Sequence, residues 1–308
     1  MSIQTVTGPI APETLGITLM HEHTLCDLWE SGGRIAYTGI LDDEELQAEE
    51  LVRYREAGGS TVVDVTTGGA GRNPAGLRRL AEATRLHLIM GAGWYRERVF
   101  PREIYELSTN QLADQIVREF ADGAEGTGVK PGIIGEIGTE RFHITPAEER
   151  VFRAGARAQR ATGAAITTHT THFGDLALEQ IALLREEGVP ADRIIIGYVG
   201  ERRDIRLERA IAETGVYVQI DHVGWPSSAG TQPEEQRART VVALASAGHL
   251  DQLLISMDIC RTTLLHWHGG NGYDHLLSTF VPMLQEEGLT EADIQTILVE
   301  NPRRALTF

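Results

Sequence analysis

Two histidines, His21 and His23, close an apolar run at 17–23. A short apolar run of this kind reads as a β-strand, and residues two apart on a strand project to the same side. Both imidazoles therefore face one volume. Other apolar runs end in residues of the same chemical type: Glu136 after GIIG, His169 after AAITT and Asp258 after LLISM. Three imidazoles and two carboxylates from four strand ends suit a divalent cation, and a carboxylate between two cations can bridge them. Glu22 lies between the two histidines and points the other way, so it reads as hydrogen-bonding support behind the site.

The elements that must position these residues recur along the chain. Strand-type runs lie at 17–23, 61–66, 86–91, 132–137, 165–170, 193–198, 216–221 and 253–257. Several are continuously apolar, as parallel strands buried on both faces are. Helical spacing fills the intervals 43–57, 77–84, 109–120, 146–162, 176–187, 205–213, 233–247 and 291–306. Thr145-Pro146 followed by Glu148 and Glu149 reads as a capped helix start, and Gly163, Gly188, Gly215 and Gly248 suit C-terminal caps. Eight strand–helix units predict an α/β fold, a (β/α)₈ TIM barrel of the metallo-dependent hydrolase type, with no domain boundary between 1 and 308. The competing open sheet usually carries a glycine-rich phosphate loop after its first strand, whereas here that strand runs into His21-Glu22-His23. The segment 225–232 is expected to form part of the barrel mouth.

Composition narrows the partners. The 308 residues carry a formal net charge of −16 with a pI near 5.1, against nucleic acid or an anionic membrane surface as the main partner. No run approaches the roughly 18–20 apolar residues of a membrane span, and the first residues do not read as a secretory signal. Two cysteines, Cys26 and Cys260, provide no disulfide framework, and the expected location is the cytoplasm. Each cysteine follows a ligand-bearing strand end, and the first and last strands of a closed barrel are neighbours, so the two thiols are expected to approach one another in reduced form. His266, His268 and His275 are irregularly spaced in a glycine-rich loop and read as a loop over the site rather than a second metal motif.

The motifs GITLMHEHTL, GIIGEIGTE, ITPAEERVFRAGARAQRATGAAITTHT, ISMDI, GGNGYDHLLSTFVPML and ENPRRAL, in this order, resemble the phosphotriesterase family of the amidohydrolase superfamily. The resemblance covers essentially the whole chain. It is strongest to the phosphotriesterase homology proteins, in which glutamate replaces a carboxylated lysine as the metal bridge, and Glu136 stands at that position. Carried over, the resemblance implies that His21, His23 and Asp258 hold the more buried metal. Glu136 would bridge to a second metal that His169 also binds. Zn²⁺ is the first expectation for one or two sites, with Mn²⁺, Co²⁺ or Fe²⁺ as substitutes. It further implies metal-activated hydroxide as nucleophile, Asp258 as general base, a small-molecule substrate and a homodimer.

One position departs from the family. Its remaining ligand is a histidine at the end of strand six, where this chain reads IIIGYVG and places Tyr198. Three readings stand open: a tyrosinate ligand, a one-metal enzyme with Tyr198 lining the pocket, or His172 or His222 completing the ligand set. The strand-three loop GAGWYRERVF supplies Trp94, Tyr95 and Arg96, and Tyr95 matches a tyrosine that reaches the metal in lactonase relatives. The strand-seven end supplies His222 and Trp225; lactonase-type members carry arginine near there, which counts against a lactone specificity. The expected activity is hydrolysis of an ester or lactone-like carbonyl compound. A biosynthetic metalloenzyme for amide or imine hydrolysis or condensation is the alternative, and a non-catalytic scaffold would have no use for five ligand-type residues.

Overall fold

The computed structural model describes residues 1–29, 37–202, 204–227 and 231–308, without the side chains of His172 and Phe173. Eight parallel strands form one sheet: β1 Thr18–Glu22, β2 Thr61–Asp64, β3 His87–Ala92, β4 Ile133–Thr139, β5 Ile166–Thr170, β6 Ile194–Val199, β7 Tyr217–Ile220 and β8 Leu253–Ile255. Each pairs with its sequence neighbour from β1 through β8, the order of a barrel.

The last and first strands meet at a seam closed mainly by one side chain. The Glu22 carboxylate accepts hydrogen bonds from the Ser256 hydroxyl at 2.7 Å, the Met257 N–H at 2.8 Å and the Ile259 N–H at 2.8 Å. In return the His21 N–H donates to Ser256 Oγ at 2.8 Å, and the Asp258 N–H donates to the His21 carbonyl at 3.1 Å. Burial raises the Glu22 pKa to about 7 despite these bonds. The supporting role expected of Glu22 is thus a specific one: its carboxylate stands in for ladder bonds between β1 and β8.

Met20, Val63, Val65, Ile89, Ile133, Ile195 and Leu254, from the strands, pack into one buried apolar cluster, as side chains filling a barrel interior do. Ile3, on an N-terminal antiparallel hairpin of Ile3–Thr5 and Gly8–Ile10, and Leu15, just after that hairpin, join it. These three-residue strands fall below what apolar periodicity registers in sequence. The second, larger core lies between strands and surrounding helices.

The helices begin and end as their sequence dictates. The helix Pro146–Thr162 starts with a full capping box between Thr145 and Glu148 and stops where Gly163 turns left-handed at φ 80°. The last segment differs from the single helix expected over 291–306. It divides into Glu291–Gln295, a wide turn Thr296–Glu300, and Asn301–Leu306. The same wide turn, Leu276–Phe280, precedes Val281–Glu286. Each lies just before a proline, Pro302 or Pro282, which lacks the N–H needed for a regular turn.

Candidate metal centre

The C-terminal ends of β1, β4, β5 and β8 bring five side chains together, all with at most 5 % of their surface exposed. His23 Nε2 lies 3.2 Å from Glu136 Oε1 and 3.3 Å from Asp258 Oδ1. His21 Nε2 lies 3.4 Å from Glu136 Oε2 and 3.8 Å from Asp258 Oδ1. His169 Nδ1 approaches the same Glu136 Oε2 to 2.9 Å. Glu136 therefore meets all three imidazoles.

Both rings of the first strand are fixed from behind. His23 Nδ1 lies 2.9 Å from Thr66 Oγ1, and His21 Nδ1 lies 3.1 Å from the Gln219 amide. The Gln219 side-chain N–H₂ donates to His21 Nδ1, which leaves His21 Nε2 as the ring atom facing the centre. His21 Nε2 is buried and has no hydrogen-bond partner among the described residues. A buried nitrogen without a partner, facing two carboxylates and a second imidazole, is what a cation ligand looks like, and this donor set fits a divalent metal. Among the described residues, His21, His23 and Glu136 form a group whose donor atoms all lie within 4.8 Å of one another.

The charges reinforce each other. Burial works against ionisation of Glu136 and Asp258, yet the neighbouring histidines hold both carboxyls below the ordinary range. Burial likewise opposes protonation of His23, but Asp258 and Glu136 outweigh it and push its pKa well up. A bound cation would supply the positive charge that protonated imidazoles otherwise provide.

Two site residues sit in the left-handed backbone region, Tyr198 at φ 62° and Asp258 at φ 48°. For side chains other than glycine this costs roughly 1–2 kcal/mol per residue, so the surrounding structure holds both there. The Tyr198 N–H donates to the buried Asp221 carboxylate. Its ring lies against His169, centroids 4.1 Å apart, and edge-on to His222 at 4.2 Å. Burial, with the Asp258 charge, pushes the Tyr198 phenol pKa well up.

His222 does not join the donors around Glu136. Its Nε2 lies 3.6 Å from Asp258 Oδ2, while Nδ1 lies 3.0 Å from Glu201 Oε1. Glu201 in turn accepts from the buried Arg237 guanidinium at 2.8 Å. Burial opposes protonation of His222, but the Asp258 and Glu201 carboxylates raise its pKa to about 9. Sequence reading missed Glu201 and Arg237. They lie beyond the strand ends, Glu201 in the loop after β6 and Arg237 on the helix Glu234–Leu244, and only the closed barrel brings them under His222.

The pocket candidates separate. The Tyr95 hydroxyl lies 3.2 Å from His169 Nε2, so this residue reaches the centre. The side chain of Trp94, the other aromatic expected to bind substrate from this loop, is held away from His169. It alternates to the opposite face, donates from Nε1 to Glu103 at 3.0 Å and lines a separate cavity of about 380 Å³ with Gly68, Arg72 and Glu119. Trp225 packs on His222 at 4.6 Å and donates to the Met257 carbonyl at 2.7 Å. Cys26 and Cys260 are both buried and free, with Cys26 Sγ 4.0 Å from the Cys260 carbonyl. His266 pairs with Asp274 at 2.6 Å and His275 with Glu234 at 2.9 Å. The side chain of His172 lies outside the described residues.

The chain is similar over most of its length to several known proteins. The chain is 37 % identical over 287 residues to the phosphotriesterase homology protein of Escherichia coli (strain K12), covering 93 % of this chain and 96 % of that one. The crystal structure of that protein, with phosphate in its active site, superposes with a TM-score of 0.90 at 35 % identity, over 96 % of this chain and 99 % of that one. An N-acetyltaurine hydrolase of Danio rerio is 32 % identical over 350 residues, covering 99 % of this chain and 98 % of that protein. A lactonase from Listeria monocytogenes superposes with a TM-score of 0.92 at 31 % identity, over all of this chain and 99 % of that one. The family model for the phosphotriesterase family matches residues 1–306, and the chain belongs to that family.

Proposed function

We propose that this protein is a metal-dependent hydrolase of a carbonyl substrate, with His21, His23, Glu136 and Asp258 holding the metal. The observation that carries this reading is the partnerless buried His21 Nε2, facing His23 and the Glu136 and Asp258 carboxylates. A divalent cation bound there, Zn²⁺ first and Mn²⁺, Co²⁺ or Fe²⁺ as substitutes, supplies Lewis acidity and an acidified water.

The protein's own groups handle the proton. Asp258 faces the donor cluster through Oδ1 and His222 through Oδ2. Asp258 would act as general base, taking the proton of the attacking water, while the protonated His222 beside it would give its own proton to the leaving group and then be reprotonated from Asp258. Glu201, fixed by Arg237, holds the His222 ring in orientation. The Tyr95 hydroxyl beside His169, and the protonated Tyr198 phenol, line the approach as hydrogen-bond donors for a developing oxyanion.

The packing of Tyr198 between two imidazole rings favours a one-metal centre over a tyrosinate ligand. Metal content by plasma mass spectrometry tests this: one equivalent in the wild type, rising to two in Tyr198→His. Two equivalents in the wild type, with anomalous scattering at both positions, would contradict it.

Esters and lactones are the first substrate class, given the lactonase neighbour. Amide hydrolysis is the second reading, favoured by the N-acetyltaurine hydrolase relatives and by the altered strand-six position. A panel of acetate esters, lactones and N-acetyl amides separates them. Turnover lost on chelation and restored by Zn²⁺ or Mn²⁺ supports hydrolysis; no turnover on any member counts against it. A homodimer in the cytoplasm completes the proposal. It rests on the family resemblance and on the lack, among the described residues, of a helix long and apolar enough to cross a membrane.

A further inference from the structure

The metal centre lies at the C-terminal ends of the strands. At their N-terminal ends the chain encloses a separate cavity of about 1010 Å³. Its apolar wall consists of Pro9 and Ile10 from the N-terminal hairpin, Pro12, and the buried Tyr217 at the start of β7. Tyr217 belongs to the apolar cluster of the barrel interior and Ile10 packs on it, so this wall is the outer end of that core. Arg193, just before β6, brings a guanidinium to the same cavity.

That guanidinium is held through one nitrogen only. Nη1 donates to the carbonyls of Thr307 at 2.9 Å, Ala305 at 3.2 Å and Arg304 at 3.5 Å, at the end of the helix Asn301–Leu306. Among the described residues, no group bonds to Nε or Nη2. These two atoms carry the parallel N–H pair that grips a carboxylate side-on. The helix end fixes the plane before any ligand arrives, so little side-chain entropy is lost on binding. The other two guanidiniums at the cavity are committed, Arg303 to Glu300 and Arg304 to Asp251. One free fork suits one negative charge, and Glu13 and Asp192, exposed at the same cavity, oppose a second.

We infer that this cavity is a second ligand site, apart from the metal centre, for a monocarboxylate with an apolar tail. The carboxylate pairs with Arg193 Nε and Nη2, and the tail lies on Ile10, Pro12 and Tyr217. Such a ligand ties together the N-terminal hairpin, the starts of β6 and β7, and the last helix, so its binding stabilises the folded chain. The site performs no chemistry and stands whether or not the hydrolase reading holds.

The test is calorimetric titration with 3-phenylpropanoate, its neutral analogue 3-phenylpropan-1-ol and the tailless acetate, before and after chelation of the metal. One equivalent of 3-phenylpropanoate that survives chelation is expected, bound about tenfold or more tightly than either other probe, because each lacks the charged contact or the tail. Thermal unfolding should shift upward with the acid and not with the alcohol. Arg193→Gln, which keeps a donor for the helix carbonyls but gives up the charge, is expected to bind acid and alcohol alike. Asp192→Asn removes a neighbouring negative charge at an exposed position, and should tighten the acid about two- to fivefold while leaving the alcohol unchanged. No binding of the acid, equal affinity for acid and alcohol in the wild type, or binding abolished by chelation overturns the inference. So does undiminished acid binding in Arg193→Gln. Should that variant not fold, Asp192→Asn decides, and an unchanged affinity for the acid overturns the inference.

Discussion

Asp258 carries two demands through its two oxygens: Oδ1 faces His21 and His23, and Oδ2 faces His222. Holding it at a positive φ keeps both oxygens in use. His222 is useful only while its ring stays aligned, and Glu201 is the group that aligns it. Glu201→Gln keeps the shape but gives up the charge facing His222 Nδ1. The expected result is a fall in kcat of about 10- to 100-fold, the usual cost of losing an orienting partner, with metal content and KM little changed. Steady-state kinetics with metal analysis on one preparation check this; an unchanged kcat would remove Glu201 from the mechanism. The five ligand-type residues were readable because each stands at the end of an apolar run. Glu201 was not, since a lone glutamate in a loop carries no periodic signal and acquires its meaning only through contact with His222 and Arg237. Trp94, one residue from Tyr95, carries the same expectation from the loop, while alternation along the chain sends its indole N–H to Glu103.

Among the elements, the seam between β1 and β8 is the one most dependent on a single side chain. The Glu22 carboxylate satisfies two backbone N–H groups and a hydroxyl that no strand ladder reaches. Glu22→Gln places an amide N–H₂ where an acceptor is needed, leaving a buried donor without a partner. The expected destabilisation is about 3 kcal/mol, near the upper end for one buried unsatisfied group, read as a lowered midpoint in urea unfolding. A change below about 0.5 kcal/mol would show that the seam closes without it. Strand positions followed closely from apolar runs because a parallel barrel strand is buried on both faces and leaves an unbroken signal. The N-terminal hairpin and the proline-associated wide turns escaped notice. The strands of the hairpin are three residues long, and a helix widened for one turn keeps its helical spacing in sequence.

For the whole molecule, acidity and the outer helices bear on stability. Between Pro146–Thr162 and Ala177–Glu186, Glu187 binds Arg157 at 3.0 Å and Arg153 at 3.2 Å. Hydrogen bonds from Arg157 lead in holding its carboxyl below the usual 4.5, against slight burial and with help from Arg153. A depressed carboxyl stabilises the fold above its unfolded pKa, and that contribution is lost as pH falls from about 4.5 through the lower folded value. Because the pair is near the surface, the contribution is at most about 1 kcal/mol. Glu187→Gln should therefore be less stable than wild type at neutral pH, and the two should converge in acid; a difference constant with pH would refute the linkage.

The central claim concerns the donor set at the barrel mouth, and equilibrium metal binding tests it most directly. After chelation and reloading with Zn²⁺, the wild type should retain at least one equivalent through gel filtration. His23→Ala, which removes one donor, should retain far less, while Trp94→Phe, on the opposite face, should match the wild type. A folded wild type that retains no divalent metal, or a His23→Ala variant that binds it equally well, would contradict the account.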